Sequence, residues 1–346
     1  MGELRTIAVD LAKGVFQVHG ADEKGAKLFS RRLPRNKLIA FFSGQPRVTV
    51  AMEACGSAHH WGRTLQEMGF EVHLLPAREV RPFVRLPKTD ASDAAAIAEA
   101  ARRPELRTVP VKSANAQAVC SAHGLRERLV AARTAQINMV RSHLAEFGIV
   151  SATGSKGFQE LETLVRSGLT SLPPALTGSL LALVEAIDAT ERAIAAIERE
   201  IVTAAKGEAA MQRLTKVPGI GLLSGSAILA FAGDMKRFKS ARAFAAWLGL
   251  TPRVEASGGK TRLGGITKQG QAYVRTLLIH GARAVVYWKS KGKAGGRSAW
   301  LDALVARRPL PVVITAMAAK LARIVWAVIV RGTEYREPRP SANAAA

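Results

Sequence analysis

Apolar and polar positions alternate along the first part of the chain in the manner of strands. The stretch RTIAVDLAKGVFQVHGADEKGAKLFSRRL predicts two strands, TIAVDLA and VFQVHGA, separated at Gly14, with a hairpin signal at ADEKGA. In RVTVAMEA, residues 47–54, Val48, Val50 and Met52 alternate with Thr49, Ala51 and Glu53, which predicts a third strand. SAHHWGRTLQEMG then predicts a helix, FEVHLLPA another strand, and KTDASDAAAIAEA, residues 88–100, a closing helix. Strand, helix and strand in succession mean an α/β layer around a central sheet.

Beyond residue 113 the period changes to that of helices. Residues 113–150 predict one long helix carrying Arg126, Arg128, Arg133 and Arg141. In 176–201, Leu176, Leu180, Leu183, Ile187, Thr190, Ile194, Ile197 and Ile201 alternate spacings of four and three, a heptad seam with a polar break at Thr190. This predicts a coiled coil or an antiparallel helical hairpin; a single helix packed within its own chain satisfies the same pattern. SLPPALTG reads as a linker between the two helical stretches. The resulting division is an α/β domain over 1–112, long helices over 113–210, a Gly-punctuated, mainly helical domain over 211–335, and a disordered tail over 336–346.

Charge sharpens that division. The chain of 346 residues carries a net charge of +23. Residues 1–150 contribute +8, residues 151–210 contribute −3, and residues 211–346 contribute +18. Such an excess predicts a polyanionic partner, above all nucleic acid, with the last segment as the main phosphate-facing surface. A solubility charge or affinity for a membrane surface is the blander reading. Cys55 and Cys120 are the two cysteines, with no CxxC, so neither a disulfide framework nor a zinc module is expected. Asp10 and Lys13 interrupt the first apolar stretch, which argues against a signal peptide. The apolar run 312–330 has Lys320 and Arg323 near its middle, so an amphipathic buried helix is expected rather than a membrane span.

Four acids stand out by position. Asp10 lies in the apolar first strand, Glu53 near the end of a later one, and Asp90 and Asp93 open the closing helix at a spacing that shares one face. A sheet-plus-helix layer can bring these points to one edge. Carboxylates so gathered require divalent cations, and oxygen donors select Mg²⁺ or Mn²⁺, ions suited to phosphodiester chemistry. Surface acids are the alternative, with Asp90 as a helix N-cap. In the second half, LTKVPGIGLLSGSAILAFAG, residues 214–233, has the pattern of a helix-hairpin-helix, with Gly219 and Gly221 allowing a tight turn whose N–H groups can meet a phosphate. A purely structural turn would use the same glycines. EASGGK places Ser257 beside two glycines, near Lys260, Arg262 and Lys268, which can hold a phosphate.

VDLAK, MEACGSAHHW and KTDASDAAAIAEA resemble the DEDD motif of insertion-sequence transposases with a resolvase-type RNase H fold, mapping onto Asp10, Glu53, Asp90 and Asp93. WLGLTP, EASGGK and ITKQGQAYVRTLL resemble the C-terminal domain of the same family, and the likeness covers roughly residues 5–335. The resemblance implies an N-terminal RNase H-like domain, a central coiled coil and a C-terminal domain whose serine, here Ser257, is the nucleophile. It implies a bacterial, cytoplasmic DNA recombinase, associated with the nucleoid when bound to DNA, that cleaves and rejoins strands through a serine–DNA intermediate. Mg²⁺ (or Mn²⁺) would lie on the four carboxylates. It further implies guidance by a non-coding bridge RNA, and dimers that form tetramers on DNA, in which one protomer's serine can serve another's carboxylates. Arg126, Arg133 and Arg141 are candidates for RNA phosphate contacts, unless they line a solvated helix face. A metal-dependent structure-specific endonuclease and a non-catalytic nucleic-acid-binding scaffold are the rival functions. Tyr273, Tyr287 and Tyr335 offer alternative nucleophiles.

Overall fold

Ile7, Val9, Val50 and Met52 are buried on one side of their strands, and Ala8 and Ala51 on the other, so the sheet they form must be covered on both faces. The computed structural model describes residues 2–87, 89–168, 172–290 and 299–336. The chain divides into two compact units, 1–117 and 118–346.

The first unit contains β1 (Leu4–Asp10), β2 (Val15–Asp22), β3 (Lys27–Pro34), α1 (Leu38–Ser43), β4 (Thr49–Glu53), α2 (Ala58–Glu67), β5 (Glu71–Leu75), α3 (Ala77–Val80) and α4 (Asp90–Ala101). Strand order is β3-β2-β1-β4-β5. β1, β2 and β3 form an antiparallel meander, whereas β1, β4 and β5 run parallel. The mixed sheet with helices is the α/β layer that the alternation predicts. β3 is an addition to it. Its LFSRRLP has charges at successive positions, as an exposed edge strand tolerates, and this hides the strand period.

The two faces of the sheet are packed differently. Ile7, Val9, Phe16, Val18, Val50 and Met52 meet Leu38 and Phe42 of α1 and Trp61 and Leu65 of α2 in a core of large side chains. On the opposite face Ala8 and Ala51 meet Ala96, Ile97, Ala98 and Ala100 of α4. Small residues on both partners let α4 lie close to the sheet.

The second unit follows α5 (Ala114–Ala145), whose start belongs to the first, with α6 (Ser155–Arg166), α7 (Pro174–Ala205), α8 (Ala209–Thr215), α9 (Leu222–Ala232), α10 (Ala241–Trp247), β6 (Pro252–Ser257), β7 (Lys260–Ile266), α11 (Ala272–Ser290), α12 (Ala299–Arg307) and α13 (Leu310–Arg331). α7 begins within the expected linker, since Pro174 can occupy the first helical turn without losing a backbone hydrogen bond. Three α5–α7 pairs, Arg126–Glu198, Arg133–Glu191 and Thr190–Gln136, have numbers that rise on one helix as they fall on the other. The two helices are therefore antiparallel. Leu180 and Ile187 of the heptad stripe, with Val184 beside them, pack with Val140 and Leu144 of α5 and with Phe158 and Leu161 of α6, within the chain. The expected tail falls mostly on 337–346, outside the described residues.

A second core joins α8 to α13. α13 is long and apolar enough to cross a membrane by length and composition, but Val313, Met317, Leu321, Val325 and Val328 lie in this core. Arg323 is exposed, and the Lys320 ammonium sits 4.1 Å from the Trp300 ring centroid. The helix is amphipathic, as the sequence predicts.

His123 of α5 is fully buried beside this core. Its Nδ1 lies 3.0 Å from the Tyr273 hydroxyl and its Nε2 3.1 Å from Ser226 Oγ, which links α5, α9 and α11. Burial first, then the nearby Arg126 charge, lowers its pKa to about 4. An unfolded chain takes up that proton near the ordinary histidine pKa of about 6.5. Stability contributed by the neutral ring is therefore present above about pH 6.5 and is lost as the pH falls toward 4. Chemical denaturation at pH 7.5 and 5 should show a loss of stability of which about 2 kcal/mol disappears in His123→Gln; an equal loss in the variant would assign the pH dependence elsewhere.

Candidate active site

Asp10 ends β1 and Glu53 ends β4. These strands are parallel, with Val9 opposite Met52, and the same register carried one residue further places Asp10 beside Glu53. Both acids share the sheet face of Ala8 and Ala51, because side chains alternate along a strand. That is the face covered by α4. Cys55 reports their proximity. Its thiol pKa is raised by burial, then by the Glu53 and Asp10 carboxylates. Sequence reasoning left Cys55 out of the site, although its position two residues after Glu53 was the available signal.

Asp90 and Asp93 occupy the first turn of α4. At the other end of the helix, Arg102 packs on Gly25 in the turn between β2 and β3. That turn lies at the edge where β1 begins, so α4 runs antiparallel to β1 and its first turn comes over the edge where β1 and β4 end. The helix is capped by Thr89, not Asp90. Ser92 N donates to Thr89 Oγ1 at 3.1 Å, and Thr89 N donates to Ser92 Oγ at 2.9 Å. The N-cap alternative for Asp90 is thereby removed. Asp90 is exposed, while Asp93 Oδ1 is buried without a hydrogen-bond partner. Such an orphaned carboxylate oxygen suits a hard cation. Among the described residues, no three His, Cys, Asp or Glu side chains are drawn together as a closed metal site. The carboxylate oxygens are donors of the kind that suits Mg²⁺ or Mn²⁺.

Ser257 lies on an arm. β6 and β7 form a two-stranded hairpin, with Ser257 opposite Lys260 and Glu255 opposite Arg262. Gly258 and Gly259 make the turn at φ +55° and +75°, a conformation open to glycine. The expected Gly-rich loop is thus the tip of a β-ribbon. Cross-strand partners share a face, so Glu255, Ser257, Lys260 and Arg262 line one side. Val254 and Leu263, 62% and 70% exposed, lie opposite each other on the other side. The base of the arm is firmly held: Thr267 N donates to Thr251 O, Lys268 N to Gly249 O and Gln271 N to Trp247 O, at 2.9, 3.1 and 3.1 Å. Lys268 itself is exposed, at φ +54°.

The remaining candidates have intrachain roles. Gly219, at φ +85°, lies against the backbone of Gly281, where a Cβ on either residue would overlap the other's carbonyl. Gly221 N donates to Ser224 Oγ at 2.9 Å. Arg126 pairs with Glu198 at 2.6 Å, Arg133 with Glu191 at 3.5 Å, and Arg141 donates to the carbonyls of Ala152 and Gly154. Tyr273 is only 7% exposed and bonded to His123, and burial raises its pKa. It is a packing residue, inaccessible as a nucleophile. The His123 network itself was missed from sequence, where a lone helical histidine carries no signal.

Residues 7–149, which hold the four acids, match the family model of IS110-type DEDD transposases. Residues 211–296, which hold the serine arm, match that of the transposase IS116/IS110/IS902 family. A probable family 20 transposase of Pseudomonas aeruginosa is 48% identical over 96% of this chain and 99% of its own. The transposase for insertion sequence element IS1111A of Coxiella burnetii is 39% identical over 97% of this chain and 92% of its own. That for IS1328 of Yersinia enterocolitica is 36% identical over 97% and 99%. The four acids and the serine arm thus fall in the two matched regions, and the chain belongs to the IS116/IS110/IS902 family of transposases.

Proposed function

We propose that this transposase moves an insertion sequence by cutting and rejoining DNA through a Ser257–DNA intermediate, with Asp10, Glu53, Asp90 and Asp93 as the metal-binding set. The observation that carries the reading is the placement of Asp10 and Glu53 at one sheet edge under the first turn of α4, where Asp93 Oδ1 is buried and unpartnered. A divalent cation on these carboxylates supplies charge neutralisation and polarisation of the phosphate. Ser257 Oγ gives up its proton and bonds to phosphorus. The P–O3′ bond breaks, the leaving 3′ oxygen takes up a proton, and the 5′ phosphate stays esterified to serine. Attack by another strand's 3′ hydroxyl reverses these steps, so the phosphoester bond is conserved without an external energy source. Lys260 and Arg262, on the same ribbon face as Ser257, counter the phosphate charge, with Lys268 at the base of the arm.

The reading includes a homo-oligomer and an RNA guide. The +18 charge of residues 211–346 supports a large polycationic surface facing a polyanionic partner. Aromatic residues make up 5% of the chain, which favours backbone contact over base stacking, with sequence choice left to base pairing. Contacts from Arg126, Arg133 and Arg141 to RNA would compete with their intrachain partners.

Ser257→Ala should abolish the denaturant-resistant protein–DNA adduct on a junction substrate while leaving DNA affinity within about twofold. An undiminished adduct removes Ser257 from the mechanism, and strand cuts ending in free 5′ phosphates without any adduct favour a hydrolytic endonuclease. Purified protein should also carry a discrete non-coding RNA whose removal abolishes recombination; full activity in RNA-free protein contradicts guidance.

A further inference from the structure

The first unit contains a cavity of about 440 Å³ alongside α4, within the roughly 300–1,000 Å³ common to small-ligand sites. Ser92, next to Asp93 in sequence, lines one end, and Arg102 and Arg103 line the part near the other end of the helix. The cavity therefore leads away from the carboxylate edge along the same sheet face. His19 belongs to that face, since it pairs with Ala8 while Gln17 pairs with Asp10.

Its lining combines positive charge with flat apolar walls. Lys27, Arg85, Arg102 and Arg103 face one acid, Glu99, which is ion-paired to both Arg102 and Arg103. Lys27 and Arg85 have no carboxylate partner among the described residues. A Cβ at Gly25, φ +84°, would overlap the Arg102 guanidinium, so the glycine lets that side chain lie across the β2–β3 turn. Phe83 supplies an aromatic wall, with the Arg103 guanidinium 5.6 Å from its ring centroid. Ala95 and Ala96 supply a second wall without side-chain bulk.

We propose that this cavity receives an unpaired DNA nucleotide of the strand whose phosphate lies on the carboxylates, its base against Phe83 and Ala95 and its phosphate between Lys27 and Arg85. The assignment to DNA rests on the reading of the carboxylates given above. A single nucleotide suits the cavity's volume, its aromatic wall and its surplus of positive charge. His19 is held below its ordinary pKa by burial, then by Lys27. Its neutral ring offers one donor and one acceptor to a base edge. Unstacking is least costly at a nucleotide already unpaired, which would favour junctions and strand ends over continuous duplex.

The test is fluorescence anisotropy with full-length protein in EDTA, using a short single-stranded DNA, its duplex and the single-stranded RNA of the same sequence. Ala95→Trp fills the cavity, and Phe83→Ala removes the aromatic wall. Both variants should weaken single-stranded DNA binding by at least about fivefold, with duplex affinity changed by less than about twofold. Equal losses on single strand and duplex, or no loss in either variant, overturn the proposal; a larger loss for RNA than for DNA overturns the assignment to DNA. Asp10→Asn separates the cavity from the catalytic reading. If it retains both the adduct and the two variants' single-strand effect, the carboxylate mechanism fails while the nucleotide site stands.

Discussion

The close approach of α4 to the sheet is the constraint on which the candidate active site depends. Ala8 and Ala51 on the strands face Ala96, Ala98 and Ala100 on the helix. Bulkier side chains here would lift the helix, and overpacking of this kind commonly costs about 1–3 kcal/mol. The same contact sets where the acids fall. Asp10 and Glu53 are fixed by the ends of adjacent parallel strands, while Asp90 and Asp93 travel with the helix. The packing thus sets like charges at one edge, an arrangement to which a cation would give a physical use.

The serine arm follows a different principle. Its supports are backbone contacts made possible by Gly249 and Gly270, which lie against the backbones of Gln269 and Trp247. Beyond that base, both faces of the β6–β7 ribbon are exposed. Two-stranded ribbons have little independent stability in water, so a well-anchored base with a bare tip suits a part that completes its contacts on a substrate. The carboxylate edge relies on dense packing, whereas the ribbon presents Ser257 on an exposed projection.

The strands that position Asp10 and Glu53 were legible because one-sided alternation of Val, Ile and Met with smaller residues is a local signal. The direction of α4 was not, since it depends on Arg102 meeting Gly25, a contact between residues far apart in the chain. Asp90 looked like a cap because Asp is a good capping residue, but Thr89 and Ser92 form the reciprocal pair. β3 was hidden by Arg31 and Arg32, which an edge position tolerates. The hairpin at Ser257 was obscured by its glycines, which signal a turn without showing that both flanks pair. The heptad stripe of α7 was visible, but its partner was not: its first apolar positions, through Ile187, pack with α5 and α6 of the same chain.

The central claim is that the ends of β1 and β4 and the first turn of α4 form one cation site. Titration of the full-length protein with Mn²⁺, followed by calorimetry, tests it without reference to DNA cleavage. Wild-type protein should bind saturably, and Asp10→Asn, Glu53→Gln and Asp93→Asn should each weaken binding by about tenfold or more, since all three would share the same ions. Unchanged Mn²⁺ affinity in any of the three variants, with the fold retained, would contradict the account.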